Sequence, residues 1–157
     1  MSTTADTLPA AGLLRRLAAM LYDGLLLLAL LLIATACLLP FTGGKAIDWD
    51  HFPLLWLLHK LMVVGLLVGF YGVFWTRRGQ TLGMASWHLR VERVDGAVLT
   101  WHDALVRLGA VVLSWIPLGL GWIWCVVDRR HRTWHDILSQ TRVVMLPKGL
   151  RRSSLGG

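Results

Sequence analysis

Three long apolar runs organise the chain, with short polar segments between them. The first, Leu17 to Leu39, holds 23 residues and one charge, Asp23. At about 1.5 Å per residue, a helix of that length covers a hydrocarbon core of roughly 30 Å. Arg15 and Arg16 stand at its entrance, and Pro40, Gly43 and Gly44 mark its end. The second run, Phe52 to Trp75, carries His59 and Lys60 in its first half and is closed by Arg77 and Arg78. Lys60 has a stem long enough to snorkel to the nearer interface. Gly65 and Gly69 are spaced to let another helix approach closely. The third run, Ala104 to Asp128, has 20 uncharged residues from Leu108 to Val127, but Pro117, Gly119 and Gly121 interrupt its middle. That PLGLG stretch predicts a helix that breaks or turns back.

The segment between the second and third runs has a different texture. Thr81 to His88 predicts a short amphipathic helix along the surface. Leu89, Val91 and Val94 against Arg90, Glu92 and Arg93 predict a short strand with imperfect alternation, and Asp95-Gly96 is a turn signal followed by a return strand over Ala97 to Thr100. A lone hairpin is marginal, and Thr141 to Met145 supplies the expected third strand. The expected fold is an all-α polytopic membrane protein. It has two full transmembrane helices, a third broken or re-entrant apolar segment, and a small cytoplasmic β-hairpin element. The expected organisation is a disordered N-terminus over 1–12, a single membrane domain over 13–146 and a basic flexible tail over 147–157. The first run is longer than the apolar stretch of a cleaved signal and reads as a retained anchor.

Composition strengthens the membrane reading. Of the 157 residues, 55% are hydrophobic and 16% charged, against about 25% charged in soluble domains. The net charge of +7 would suggest nucleic acid in a soluble protein. Here the basic residues flank apolar runs, so anionic lipid and the positive-inside rule account for them, and nucleic acid is disfavoured. If the third run goes in and comes back, fourteen of the sixteen Lys and Arg residues share the cytoplasmic side, and Lys45 and Lys60 alone lie opposite. If it crosses once, seven basic residues of the C-terminal part lie outside and the rule fails. The charge count therefore favours a multi-pass membrane protein with its N-terminus cytoplasmic. Trp49, Trp75, Trp87, Trp101 and Trp134 form an expected aromatic belt, while Trp115, Trp122 and Trp124 lie inside the third run as packing residues. Cys37 and Cys125 have no ligand spacing and read as small buried hydrophobes.

The charged residues at membrane depth are the candidate chemistry. Arg16 and Asp23 are seven apart and share a helix face. A carboxylate inside an apolar run is costly unless paired, hydrated or protonated. Arg107, near the start of the third run, is its expected partner, and Arg16 is equally free to meet Asp136 or Asp103. His131 and His135, four apart with Asp136 adjacent, resemble half a metal site, but Arg132 between them repels a cation. Arg129, Arg130 and Arg132 read better as contacts to lipid phosphates. GQTLG at Gly79 to Gly83 is too short for a phosphate loop and follows a membrane helix. No nucleophile stands beside an ordered base, so neither an enzyme nor a cofactor is expected. The network is thus Arg16, Asp23, Arg107 and Asp136, with Asp103 and His135 as secondary candidates. It reads either as a substrate or ion site or as an ion-pair lock between segments.

Five stretches in this order and spacing carry a resemblance. They are RRLAAMLYDGLLL at Arg15 to Leu27, RRGQTLG at Arg77 to Gly83, LRVERVDG at Leu89 to Gly96, DALVRL at Asp103 to Leu108, and DRRHRTWHDILSQTRVV at Asp128 to Val144. Over Leu14 to Met145 the chain resembles the RDD family of small bacterial membrane proteins. The family is named for an arginine before the first helix and two aspartates. Arg16 and Asp23 fit the first two, and Asp136 is the candidate match for the second aspartate. The family commonly has lysine after GQTLG, where this chain has Met84. The resemblance implies an integral membrane protein, with transport, including sodium/proton exchange, suggested for some members. The expected function is ion or small-solute transport by cation/proton exchange, which at this size needs a homo-oligomer. The alternative is a non-catalytic membrane adaptor or structural subunit with a membrane-protein partner. Either way, the expected environment is a bilayer with anionic lipids at the basic face.

Overall fold

The computed structural model describes residues 8–116, 120–128 and 132–147. Two helices are long and apolar enough to cross a membrane, α1 (Leu13–Ala36) and α2 (Pro53–Arg78). α1 is polar on the inside and apolar on the outside. Arg16, Ala19, Asp23 and Leu27 form its buried stripe, and Leu14, Leu21, Leu25, Leu28 and Leu32 are exposed. That inversion is what lipid as solvent requires, since leucine needs no protein neighbour there and charge does. A 3₁₀ turn at Leu39–Thr42 ends the first span, with Gly43 in the left-handed region. α2 buries Gly72 and Trp75, both in its last two turns. Near the far end, Thr35 and His59 join α1 to α2 through a 3.0 Å hydrogen bond, and the Lys60 ammonium lies over the Trp56 ring.

After α2 the chain folds into a compact polar layer. α2 ends at Gly79, in the left-handed region, where a Cβ would sit 2.6 Å from the Val91 carbonyl oxygen. Thr81 caps the short helix α3 (Leu82–Ser86). Strand β1 (Leu89–Arg93) follows, and its antiparallel partner β2 (Thr141–Met145) comes from near the C-terminus, with Val91 opposite Val143. Leu89, Val91, Val143 and Val144 form the core with Ala11, Ala19, Trp75, Leu99 and Ala104. Opposite each other, Glu92 and Arg142 make a cross-strand ion pair at 2.9 Å. Both sheet edges are occupied. Val91 N–H donates to the Gly79 carbonyl, while Ala11 and Met145 exchange backbone bonds with Val143 and Pro9 across the other edge.

The third apolar segment is α4 (Trp101–Trp115) followed by α5 (Leu120–Val127), bent by 97° at the break. Pro117 and Gly119, on which the expected break rested, lie outside the described residues. Gly121 faces Ser114, 2.7 Å from an added Cβ to the serine Cβ, which brings α5 back close against α4. The short helix α6 (Trp134–Leu138) then leads into β2. Because Ala10, β1 and β2 pair with one another, the chain before α1, after α2 and after α5 meets at one end of the molecule.

Three details differ from the expectation. Residues 97–100 form no strand. They contribute the Arg93 N–H to Ala97 carbonyl bond that closes the turn, because β1 already has a partner on each side. Residues 9–11 run along β2 and Ala11 is fully buried, so ordered structure begins before Leu13, while 1–7 lie outside the described residues, as do 148–157 of the expected tail. Gly65 and Gly69 meet nothing within 4 Å of an added Cβ, and the close approach on α2 is at Gly72, against the Trp101 ring.

Candidate functional site

Three elements, α1, α4 and α6, bring the candidate charges together on the sheet side of the molecule. Asp136 lies at the third position of α6, where the Thr133 side chain and Asp136 form a capping box, and the Thr133 N–H donates to Asp136 Oδ2 at 3.1 Å. Local sequence thus fixes where the carboxylate points. Tertiary structure supplies two guanidinium groups. Arg16 Nη1 of α1 donates to Oδ2 at 2.5 Å, and Arg107 Nη1 of α4 lies 2.7 Å from Oδ1. The same Arg107 nitrogen, which carries two N–H groups, also donates to Thr141 Oγ1. Arg16 Nε donates to the Ala11 carbonyl at 3.0 Å. All three charged residues are at most 5% exposed. Burial alone would raise the Asp136 pKa, but Arg107 and Arg16 outweigh it and hold the carboxyl well below the usual carboxylate range.

Asp23 does not pair with Arg107, contrary to expectation. Its carboxylate accepts from Thr81 Oγ1 at 2.5 Å and from the Gly83 N–H at 2.8 Å. These donors come from α3 and its cap, which follow the Arg77 and Arg78 end of α2. Asp23 is therefore level with the charged end of the second span, and not near the middle of the bilayer. Gly83 is required by this contact, because a Cβ there would run into the Ala19 carbonyl oxygen and lie 2.9 Å from Asp23 Cγ. The GQTLG stretch, rejected for phosphate, is the cradle for this carboxylate.

His135 is 1% exposed and packs on Trp122 with ring centroids 4.2 Å apart. Its Nε2 is 2.8 Å from Thr133 Oγ1 and 4.0 Å from Asp136 Oδ1. Burial, then the Arg107 charge, push its pKa down to about 3, against the opposite pull of Asp136. Asp103 stays outside the cluster. It caps α4 in a box with Thr100 and stands 3.6 Å from Arg93. Among the described residues, no group of His, Cys, Asp or Glu is arranged to hold a metal ion. His131, Arg129 and Arg130 lie outside the described residues. Arg132 folds back on Asp128 at 3.1 Å.

Beside the cluster is a cavity of about 130 Å³ lined by Asp23, Trp75, Arg107, Trp122 and His135 together with apolar side chains. The Arg107 guanidinium lies over the Trp75 ring, 5.3 Å from its centroid. The sequence reading missed Thr81, Thr133 and Thr141 as partners of the charges. One signal was available. The tetrapeptide Thr-Trp-His-Asp occurs twice, at 100–103 and 133–136, and each copy folds as a capping box.

No curated protein and no solved structure matches the chain. The RDD family model matches residues 10–140, a span that takes in both membrane helices, the bent third segment and the whole charge cluster. The chain belongs to the RDD family of membrane proteins.

Proposed function

We propose that this multi-pass inner-membrane protein acts as a non-catalytic adaptor or structural subunit, with its buried charges serving as a lock. The observation that carries the reading is Asp136 held between Arg16 and Arg107. A carboxylate compensated twice and shut off from water is suited to fixing segments in place and poorly suited to exchanging ions. Asp23 adds to this, since both its oxygens are occupied and it lies at the charged end of the second span. Among the described residues, little of α1 and α2 beyond the polar layer is buried, which leaves that surface for lipid or for a membrane partner. With Ala10, β1 and β2 paired on one face, the bent α4–α5 segment enters and returns, and the basic flanks meet the anionic cytoplasmic leaflet.

Cation/proton exchange through a homo-oligomer is the second reading, favoured by the cavity beside Asp23. Reconstitution into vesicles separates the two. The adaptor reading expects proton flux on adding sodium, potassium or lithium to match that of empty vesicles. It also expects a stoichiometric membrane neighbour on crosslinking in cells. Cation-dependent flux that disappears in Asp23→Asn, with protein correctly inserted, would overturn it in favour of exchange.

A further inference from the structure

The charges at the sheet end do not balance, and the imbalance gathers at one corner. Among the described residues, the acidic side chains at this end are Asp23, Glu92, Asp95, Asp103, Asp128 and Asp136. Each is already engaged. Thr81 and Gly83 hold Asp23, Arg142 holds Glu92, Arg93 serves Asp95 and Asp103, Arg132 meets Asp128, and Arg16 and Arg107 meet Asp136. The side chains of Arg77, Arg78 and Arg90 make no hydrogen bond or ion pair among the described residues. Arg77 and Arg78 are the last two residues of α2 and are exposed. Arg90 of β1 lies across the glycine that follows them, its Cγ 3.2 Å and its Nε 3.3 Å from a Cβ added at Gly79. The Arg90 Nε is enclosed, but its two terminal nitrogens are neither bonded nor closed to solvent.

Compensation from within the fold is too small for three cations. The C-terminal end of α2 presents about half a negative charge, and the carboxylates at this end are all taken. An anion from outside is what remains, and position selects its source. α2 is a membrane span, so its last residues stand at the level of the lipid headgroups. Exposed apolar side chains flank the corner, with Val73 on α2 and Leu82 and Trp87 at α3. Guanidinium groups grip phosphate oxygens through paired N–H bonds. We propose that the corner of Arg77, Arg78 and Arg90 is a binding site for the phosphate of an anionic phospholipid, whose acyl chains lie along the exposed face of α2. The site rests on the reading that the basic flanks meet the anionic leaflet, and it replaces a spread attraction with a defined place. Arg15 is also exposed and makes no side-chain bond among the described residues. It follows the segment that pairs with the other edge of the sheet and is not part of the corner.

Native mass spectrometry of the full-length protein, from micelles holding phosphatidylglycerol and phosphatidylcholine in equal amounts, counts the lipids retained. The expected result is retention of phosphatidylglycerol over phosphatidylcholine by roughly tenfold, the factor of one hydrogen bond to a charged group. Arg78→Gln and Arg90→Gln should each remove most of that preference. Arg15→Gln takes the same charge from the other edge of the sheet and should leave the preference unchanged. No preference for phosphatidylglycerol would overturn the proposal, as would equal losses in all three variants, the mark of a spread attraction. Displacement of the lipid by inorganic phosphate, beyond that by chloride at the same ionic strength, would overturn lipid as the occupant in favour of free phosphate. Should Arg90→Gln fail to fold, the exposed Arg78 decides against Arg15 alone. Micelles are blind to orientation, which a C-terminal phosphatase fusion reads, so the site and the cytoplasmic reading fail separately.

Discussion

Removing the charge of Asp136 while keeping its shape isolates what the buried cluster contributes. In Asp136→Asn the amide oxygen still accepts from the Thr133 N–H, so the cap of α6 largely survives. What is lost is the compensation of two guanidinium groups whose side chains are 4% and 6% exposed, Arg16 at 2.5 Å and Arg107 at 2.7 Å. Breaking a buried pair from one side costs about 3–5 kcal/mol, because the charge left behind cannot reach water. Against a total stability of about 5–15 kcal/mol that is a large share. At about 2–4 °C per kcal/mol for a chain of this size, the thermal midpoint in detergent should fall by roughly 6–20 °C. The second copy of the same tetrapeptide supplies the control. Asp103 makes the same capping box, but its ion pair with Arg93 is 3.6 Å long and Arg93 is 39% exposed. Asp103→Asn should cost no more than about 1 kcal/mol. Adding Arg107→Met to Asp136→Asn should recover part of the loss, since one stranded charge leaves with it. Equal shifts for Asp136→Asn and Asp103→Asn, or no shift at Asp136, would refute the lock.

Three further outcomes follow from the geometry. Gly83→Ala puts a methyl group against the Ala19 backbone oxygen and 2.9 Å from Asp23 Cγ. A backbone neighbour cannot yield cheaply, so α3 should lift from α1 at a cost of about 1–3 kcal/mol, read as a lowered unfolding midpoint. His135 protonates near 6.5 when unfolded and near 3 when folded, so its contribution is complete above pH 6.5 and is lost as pH falls toward 3. Unfolding midpoints in denaturant should therefore drop from pH 7 to pH 4, and His135→Gln should flatten the curve over that range. Asp136, whose pKa is depressed, adds its own loss only below about 3.8. Finally, an alkaline phosphatase fusion after Gly157 should be inactive, because β2 pairs with β1 and with Ala10 on one face. High phosphatase activity would mean that the third segment crosses the membrane.

Much of the frame was legible because it depends on composition over long windows. A run of 23 residues with one charge states its length and its solvent without reference to anything else, and α1 and α2 follow from it. The seven-residue spacing of Arg16 and Asp23 likewise fixed that they share a face, and both lie on the buried stripe of α1. Which partner each charge meets was not legible, because that depends on how α4, α6 and α3 pack. Asp23 was expected to meet Arg107 and instead meets Thr81 and Gly83, since α3 reaches it first. Strand β1 carried its own turn signal, yet its partner comes from 48 positions away, at Thr141 to Met145. Local turn chemistry could not outweigh a partner held there by α6 and the cluster.

The two copies of Thr-Trp-His-Asp show where the division falls. The four residues by themselves determine a helix start, because a threonine oxygen and an aspartate three positions on satisfy each other's backbone N–H, and both copies do so. The sequence of either copy says nothing about what else its aspartate does. Only the tertiary structure separates them. Asp103 lies at the edge of the fold, beside an exposed arginine, and remains a cap. Asp136 is carried inward by β2 and α5 to where Arg16 and Arg107 converge, and there, out of reach of water, the same carboxylate becomes the counter-charge that joins three parts of the chain.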